Sequence, residues 1–211
     1  ARTPSQIREN VHIAINGSEN GLVSFWQFNG DDGTEAIDCI SGINGTLNNM
    51  DINNRIASTI PFGAGSSYSH TVSSTGFLNF NNTGTGINFT AKTGTDTVVV
   101  SRIDACPNVI PGGFQEIFDQ QYWEISSFGQ GTFEAEITFV LNENLTTTDY
   151  DYPGNIVLCG RGGNTDTTWT ALTMGVSVDT TNNSVVFSGI DSFTQYLIGR
   201  IADNDLVNCM R

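Results

Sequence analysis

The segment DQQYWEISSFGQGTFEAEITFV, residues 119–140, decides the fold. In its second half, FEAEITFV (133–140), apolar and polar residues alternate, which is the period-two pattern of a half-buried β-strand. Its first half, YWEI (122–125), supplies large apolar side chains to a preceding strand. The segment therefore predicts two neighbouring strands near the centre of the main domain.

Segments of the same kind recur on both sides of this centre, separated by turns rich in glycine, proline and asparagine. We expect strands at 69–73, 77–81, 86–90, 96–103, 121–126, 132–141, 155–159, 168–172, 175–179, 184–188 and 193–198. Short strands at regular intervals are typical of sandwiches and barrels. The fold class is therefore predicted to be all-β, an antiparallel β-sandwich of the jelly-roll or immunoglobulin-like type.

The N-terminal region has a different pattern. Ile7, Val11 and Ile15 lie at helical spacing, and Ser5 is a candidate cap, so we expect a helix over residues 4–15. A strand over residues 22–28 comes next. The predicted organisation is a helix–strand extension at 1–60, a linker at 61–68, a sandwich domain at 69–200 and a tail at 201–211.

Composition restricts the partners of the protein. Charged residues make up only 14% of the chain, and the net charge is −14. Such a surface repels phosphate backbones, so we expect no nucleic-acid partner. No apolar run approaches the ~20 residues of a transmembrane helix, so we expect no membrane insertion.

Four cysteines, Cys39, Cys106, Cys159 and Cys209, are far apart in the sequence, with no CxxC pair. This spacing disfavours a compact zinc site. In an exported protein four cysteines form two disulfides in one of three pairings, among them Cys106–Cys159 with Cys39–Cys209. The alternative is that they are buried thiols.

One acidic loop is a candidate calcium site. Calcium takes six to eight oxygen ligands in a flexible shell, and oxygen-bearing side chains cluster here within ten residues: Asn29, Asp31, Asp32, Glu35 and Asp38. A second candidate is Asp149 with Asp151. The alternative for both loops is ordinary turn structure, because Asp and Asn favour Asx turns. The only cofactor predicted is calcium.

Catalytic motifs are weak. His12 and His70 lie in no recognised nucleophile setting. Glu134 and Glu136 are about 7 Å apart on one strand face, which suits a glycosidase pair. The alternation places both on the solvent side, so we predict that the chain is not an enzyme.

Aromatic residues divide into two groups. Trp26 and Trp123 lie in predicted strands and are expected in the core. Tyr150 and Tyr152 precede a Pro-Gly turn, so they are expected on the surface, where aromatic faces stack on sugars. They are the candidate glycan-binding residues.

Two stretches resemble known families. The first 60 residues resemble the end of a laminin-G/concanavalin-like jelly roll of bacterial secreted proteins, through the segments QIREN (6–10), GLVSFWQF (21–28), NGTLNNM (44–50) and AST (57–59). Sixty residues cannot close that fold. The resemblance therefore implies either the tail of a larger upstream domain or an extension that packs on the sandwich domain.

Residues 69–199 resemble a β-sandwich domain common near the C-terminus of large secreted and surface proteins of Bacteroidota-type bacteria. The similarity lies in VVVSRID (98–104), YWEI (122–125), FEAEITF (133–139), NSV (183–185) and GIDSFTQYLIG (189–199). The resemblance implies an extracellular or cell-surface location.

The two resemblances imply a non-catalytic extracellular module with an adhesion role or a role as a spacer that presents a neighbouring domain. One alternative is a structural subunit of a filament or surface layer that assembles by strand addition. Another is a carbohydrate-binding module of a polysaccharide-degrading enzyme. The expected partners are neighbouring domains, like subunits or glycans.

Overall fold

The computed structural model describes residues 2–15, 17–26, 28, 34–50 and 58–202. The chain forms two compact units, one made of residues 1–13 and 60–211 and the other of residues 14–59. Residues 1–13 therefore group with the sandwich, and its first strand begins inside the segment predicted as a linker.

The larger unit contains eleven strands in the described part of the chain. They are β3 (Gly65–Val72), β4 (Gly76–Asn79), β5 (Thr85–Lys92), β6 (Asp96–Ile103), β7 (Glu116–Ile117), β8 (Tyr122–Gly129), β9 (Phe133–Val140), β10 (Ile156–Arg161), β11 (Thr170–Asp179), β12 (Ser184–Ile190) and β13 (Gln195–Arg200). The smaller unit contains β1 (Glu35–Ala36) and β2 (Gly45–Thr46), which pair antiparallel.

The strands of the larger unit form two antiparallel sheets that share β11. The first sheet has the order β3-β6-β8-β13-β10-β11, with β7 also paired to β13, and the second has the order β11-β12-β9-β5-β4. The first half of β11 pairs with β10, and its second half, from Gly175, pairs with β12. The predicted all-β antiparallel sandwich is confirmed.

The sheets separate on the opposite side, between β3 and β4, where side chains bridge the gap. His70 Nε2 lies 3.0 Å from the carbonyl oxygen of Asn79, and the hydroxyl of Ser66 donates to the carbonyl of Asn82 at 2.7 Å. In a closed barrel, backbone hydrogen bonds would join β3 to β4 at this position, whereas here side-chain contacts join the two edges. The sandwich is therefore nearly closed.

The core lies between the two sheets and follows the alternation predicted from residues 133–140. Ala135, Ile137 and Phe139 of β9 are at most 1% exposed. Trp123 of β8 is fully buried, packs 4.6 Å from the Phe139 ring, and donates its indole N–H to the carbonyl of Thr83 at 3.2 Å. Trp123 is thus in the core, as expected.

The outer face of the first sheet is also partly buried, which explains the continuous apolar runs in β10 and β13. One cluster on this face consists of Ile103, Tyr122 and Leu197. A second consists of Val157, Cys159 and Ile201, with Trp169 packed against both clusters. The first sheet therefore has packed side chains on both faces.

The described part of the chain contains two α-helices, α1 (Pro4–Glu9) and α2 (Thr147–Asp151). The predicted helix over residues 4–15 was too long, and its cap is Thr3 rather than Ser5. It ends at Asn10 because the next residues join the sandwich through a bridge between Ile13 and Gly63. Neither helix has the length and apolar character needed to cross a membrane.

In the smaller unit, the segment predicted as a strand over residues 22–28 forms one isolated bridge, between Trp26 and Asp38, in its described part. Trp26 is 40% exposed, so its assignment to the core was wrong. In the described part of this unit the two strands are only two residues long, so they offer little apolar surface to cover the Trp26 ring.

Candidate functional site

A row of polar side chains crosses the outer face of the first sheet. Consecutive cross-strand partners on β3, β6, β8, β13 and β10 form this polar row: Ser67, Ser101, Glu124, Gln195 and Arg161. Ser101 and Gln195 are fully buried and Arg161 is 5% exposed. Buried polar groups must find hydrogen-bond partners, and the row provides several of them internally.

Arg161 is held by neutral oxygen atoms. Its Nε donates to Gln195 Oε1 at 2.7 Å, and one terminal nitrogen donates at 2.7 Å to the side-chain oxygens of both Asn108 and Asn164. The guanidinium also lies 4.2 Å above the ring of Trp169. A planar fork of donors suits this arrangement better than an ammonium group does.

Glu124 lies at the centre of the row. Burial raises the pKa of its carboxyl to about 7, against the opposing effects of hydrogen bonds from Gln195 and Ser126 and of the Arg161 charge. Carboxyls with a pKa near neutrality serve as proton donors or acceptors in many active sites. A catalytic role would also require a cavity beside Glu124 large enough for a substrate.

The space beside Glu124 is small. A cavity of about 50 Å³ is lined by Glu124, Ser101, Ser126 and His12, together with other side chains of the N-terminal segment. His12 donates from Nδ1 to the carbonyl of Pro61 at 2.9 Å, and burial lowers its pKa. A liquid water molecule occupies about 30 Å³. The cavity therefore has room for water but not for a sugar ring or a peptide.

Much larger openings lie on the same face, across β10 and β11. One of about 400 Å³ lies between Trp169 and the loop 110–114, over Val157 and Cys159. A second of about 380 Å³ shares Val157 and continues along residues 171–176 of β11. We call the two together the β10–β11 groove. Ligand pockets commonly have volumes of 300–1,000 Å³, so each opening is of ligand-binding size.

The rim of the groove includes a free strand edge. The first half of β11, Thr170–Met174, pairs with β10 on one side, while β12 begins to pair only at Gly175. Among the described strands, none pairs with the other side of Thr170–Met174. Within this edge Thr170, Ala171 and Leu172 are exposed, Leu172 to 48%, whereas Thr173 and Met174 are half-buried. An edge of this kind offers main-chain donors and acceptors to another strand.

The predicted calcium loop is described only in part. Asn29, Asp31 and Asp32 lie outside the described residues. Asp38 is 3% exposed, and its carboxylate accepts hydrogen bonds from the N–H groups of Phe25, Ile40 and Ser41 and from the Ser41 hydroxyl. These bonds lower its pKa strongly, the Ser41 hydroxyl most of all.

Glu35 accepts from the side-chain amide of Asn44, whose oxygen in turn accepts from the Asp38 N–H. In the second acidic loop, Asp149 is held by Arg200 and Thr146. Within the described ranges, no three His, Cys, Asp or Glu side chains are grouped as metal ligands. Calcium binding stays a prediction.

Tyr150 and Tyr152 lie at the end of α2 and are 63% and 60% exposed. Both rings are therefore on the surface, but glycan stacking by them remains a prediction. Glu134 is exposed, and the Glu136 carboxylate accepts from the side-chain amide of Asn88 at 3.0 Å.

No disulfide joins Cys106 to Cys159. Cys106 is exposed, with its sulfur 3.8 Å from a carboxylate oxygen of Asp119, whereas Cys159 is buried under the groove. Cys39 is exposed in the smaller unit. Its suggested partner, Cys209, lies outside the described residues.

Sequence reasoning missed the polar row and the groove. Glu124, Arg161 and Gln195 are single polar residues within strands, and only the register of three strands brings them together. One signal was present, because a charged residue inside a predicted buried strand calls for a partner. The chain matches no protein-family model, no curated protein and no solved structure.

Proposed function

We propose that the chain is a non-catalytic binding module of a larger secreted or surface protein, with an adhesion role. Its ligand is an extended polypeptide segment of a partner, held in the β10–β11 groove. The observation that carries the proposal is the free edge of Thr170–Met174 beside openings of about 400 and 380 Å³.

Strand addition explains why the edge and the groove belong together. An extended peptide that pairs with a sheet edge gains main-chain hydrogen bonds, and alternate side chains enter pockets that provide specificity. Here Leu172, Met174 and Val176 line the groove along β11. Apolar side chains of a partner strand would be buried against them.

The charge of the protein restricts the partner further. A net charge of −14 repels acidic segments and attracts basic ones at long range. The proposed ligand is therefore an apolar segment with neutral or basic flanks. The acidic surface would speed its association at low ionic strength.

Glu124 is not assigned a catalytic role in this proposal. Its raised pKa accompanies a cavity of about 50 Å³ beneath the N-terminal segment, whereas the large openings lie over apolar side chains. We assign Glu124 to the polar row, as a carboxyl whose pKa is raised by burial to about 7.

The test uses a panel of lysine-flanked seven-residue peptides with alternating apolar residues, including the chain's own LVSFWQF (22–28). Binding is measured by fluorescence anisotropy. At least one peptide is expected to bind saturably, with affinity at least tenfold lower for Leu172→Glu. The control Val140→Glu changes a side chain that is 39% exposed on β9 of the other sheet and is expected to bind normally.

Backbone N-methylation at alternate residues removes the hydrogen bonds of strand addition and is expected to abolish binding of the best peptide. No saturable binding across the whole panel, or equal affinity for wild type and Leu172→Glu, would overturn the proposal. Binding that survives N-methylation would also contradict pairing at the edge.

The free edge also favours a second candidate, a structural subunit that assembles by strand addition between copies of this chain. Light scattering over a range of concentrations, with and without calcium and reductant, separates the two. Concentration-dependent polymers that Leu172→Glu disperses support the subunit. A protein that stays monomeric while it binds peptides supports the adhesion module.

A glycan-binding module is a third candidate, favoured by the exposed rings of Tyr150 and Tyr152. Glycan-array binding that is lost in Tyr150→Ala and Tyr152→Ala but kept in Leu172→Glu would support it. Absence of glycan binding by the wild type would remove it.

A further inference from the structure

We propose that the outer face of the second sheet carries a binding site for a neutral hexose unit of a glycan. The site is centred on Phe77 of β4, and we call it the Phe77 site. It shares no lining residue with the β10–β11 groove, and it does not rest on the peptide ligand proposed there. Tyr150 and Tyr152, the glycan-binding residues predicted from the sequence, do not line it.

The Phe77 site is assembled by the register of three strands. Asn79 of β4, Gly86 of β5 and Thr138 of β9 are consecutive cross-strand partners. Phe77 and Val140 lie two residues from Asn79 and Thr138, so they point to the same face of the sheet. The intervening residues of β9 face the core, which places this set on the solvent side. A cavity of about 180 Å³ lies over it.

Phe77 offers an aromatic surface to a ligand. Its side chain is 61% exposed, and its ring leans over Gly86. A Cβ atom at Gly86 would lie 2.6 Å from Cζ of the ring and 2.7 Å from Cε2. Glycine therefore lets the ring lie close to the sheet while more than half of the side chain stays open to solvent. The C–H groups on one face of a pyranose ring can pack against such an aromatic surface.

Amide and hydroxyl groups surround the ring. Asn79 Oδ1 accepts the N–H of Asn81 at 2.7 Å. Among the hydrogen bonds of the described residues, none engages the Asn79 amide nitrogen, the Asn81 side chain or the Thr138 hydroxyl. Both carboxamides are exposed, and Thr138 is half-buried. Carboxamides and hydroxyls donate and accept, as sugar hydroxyls do, so the two sets of groups can satisfy each other.

The turn that carries Asn81 is fixed by contacts within the protein. Asn81–Thr83 form a 3-10 turn that ends at Gly84 in the left-handed conformation, and the carbonyl of Gly84 accepts the N–H of Val140 at 2.8 Å. On the other side, His70 contacts the carbonyl oxygen of Asn79. A site held in this way loses less conformational entropy when a ligand binds.

The charges around the site favour a neutral ligand. In the described part of the chain, the residues that line the cavity are uncharged, and Arg102, near Gly84, is paired with Asp104. On the same face, the Glu136 carboxylate accepts from Asn88 at 3.0 Å. With a net charge of −14 as well, the protein would repel uronates and sulfated sugars. A basic ligand brings only donors, which would leave the amide N–H groups without acceptors.

The size of the cavity suits one sugar unit. Its volume of about 180 Å³ is that of about six liquid water molecules at ~30 Å³ each. Pockets for drug-sized ligands have volumes of about 300–1,000 Å³, so the site would hold one ring rather than an oligosaccharide. A ligand of this size is expected to bind with a Kd on the order of 1 mM.

The test uses methyl glycosides of glucose, galactose and mannose as probes, each in both anomers. Saturation-transfer NMR on the full chain measures their binding. At least one probe is expected to receive saturation and to shift the side-chain amide signals of Asn79 and Asn81. Absence of saturation transfer to every probe would overturn the proposal.

Variants at the ring test its role. Phe77→Ala is expected to lower the affinity for the best probe at least tenfold, whereas Phe77→Trp, which keeps an aromatic face, is expected to stay within threefold of the wild type. The matched control is Tyr150→Ala, which removes another aromatic side chain, 63% exposed on α2. Equal affinity of Phe77→Ala and the wild type, or a loss confined to Tyr150→Ala, would overturn the proposal. Circular dichroism checks the folding of each variant.

Gly86 is a positioning residue in this proposal, because it sets how close the ring lies to the sheet. In Gly86→Ala the new methyl group meets the exposed end of the Phe77 side chain, which can move away, so the fold is expected to be kept and the affinity to fall several-fold. Adding Gly86→Ala to Phe77→Ala is expected to cost nothing more. A further loss in the double variant would contradict an effect through the ring.

Two comparisons test the ligand class and separate this site from the groove. The uronate with the same ring as the best hexoside is expected to bind at least fivefold more weakly, and equal affinity would overturn the preference for a neutral unit. Leu172→Glu is expected to bind the hexoside as the wild type does, and Phe77→Ala is expected to bind the panel peptides normally. Loss of hexoside binding in Leu172→Glu would place the sugar in the groove and overturn the Phe77 site.

Discussion

Arg200 of β13 holds Asp149 of α2 through two parallel hydrogen bonds, each 2.8 Å long, from Nε to Oδ1 and from a terminal nitrogen to Oδ2. The Asp149 carboxylate also accepts from the N–H and hydroxyl of Thr146, the cap of the helix. Its side chain is 2% exposed. One carboxylate thus completes a helix cap and holds that helix against β13 of the sandwich.

We expect Asp149→Asn to lower the free energy of unfolding by about 2 kcal/mol at pH 7, because Arg200 loses its buried charged partner and keeps only the ion pair with Glu116, whose side chain is 47% exposed. Urea denaturation followed by circular dichroism measures this change. The matched control is Asp151→Asn, whose side chain is exposed at the end of the same helix. Equal losses in the two variants would contradict the assigned role.

The same pair predicts a pH dependence at the acid end. Burial raises the pKa of Asp149, but the bonds from Arg200 and Thr146 outweigh it, so the net pKa lies below the ordinary 3.8. The stabilisation is therefore fully present above pH 3.8 and is lost as the pH falls through the lower, folded-state pKa. In Asp149→Asn, the decrease in stability that protonation of this carboxylate causes at low pH is expected to disappear.

The pKa shift of Glu124 has the opposite sign to that of Asp149. Its folded-state pKa of about 7 exceeds the ordinary 4.5, so the native protein holds this proton more tightly than the unfolded chain does. The free energy of unfolding therefore declines as the pH rises from 4.5 to 7. We expect Glu124→Gln to remove this decline and to be more stable than wild type at pH 8, by about 2 kcal/mol.

Urea denaturation at pH 5 and at pH 8 tests the prediction for Glu124. At pH 5 the variant and the wild type are expected to agree, because the carboxyl is then protonated in the folded state. Glu134→Gln, an exposed glutamate on β9, serves as the control and should change neither value. A difference in stability between Glu124→Gln and the wild type that is the same at pH 5 and pH 8 would contradict the raised pKa of Glu124.

The contribution of Arg161 to stability is expected to depend on the shape of its side chain as well as on its charge. Arg161→Lys keeps the charge but loses the fork that reaches Gln195, Asn108 and Asn164. We expect a loss of about 2–3 kcal/mol in the free energy of unfolding, because buried oxygens are left without donors. Arg102→Lys, at a side chain 22% exposed beside Asp104, is the control and should cost far less. Similar losses in both would contradict the importance of the fork.

Much of the fold could be predicted from local pattern. The strand expected at residues 96–103 was found as Asp96–Ile103, and the alternation in residues 133–140 placed the right side chains in the core. These patterns are readable because a strand with one buried face has a period of two. The polar row was not predictable in this way, since it depends on register between strands that are distant in sequence.

Two local elements were predicted wrongly, one helix and one strand. Helix α2 was missed, although Thr146 and Asp149 have the spacing of a capping box. Residues 168–172 and 175–179 were predicted as two strands, whereas Thr170–Asp179 is one strand that changes sheets. The break in the apolar pattern at Gly175 is a bend, which a linear pattern does not distinguish from a turn.

Gly175 shows why that bend needs glycine. It is the residue at which β11 leaves β10 and begins to pair with Phe187 of β12, and the register shifts just after it. A Cβ atom at this position would lie 2.6 Å from the carbonyl oxygen of Pro153 and 3.1 Å from a methyl group of Val185. The nearer atom belongs to the backbone of a 3-10 turn, Pro153–Asn155, so it has little freedom to move.

We therefore expect Gly175→Ala to lower the free energy of unfolding by about 2–3 kcal/mol, as overpacking does in a filled interior. Gly154→Ala is the matched control, because it lies in the adjoining turn and its added methyl group would have no neighbouring atom within 4 Å. Urea denaturation of both variants gives the comparison. If Gly175→Ala were as stable as the control, the two sheets would not depend on close approach at this corner, and β11 would have room to turn elsewhere.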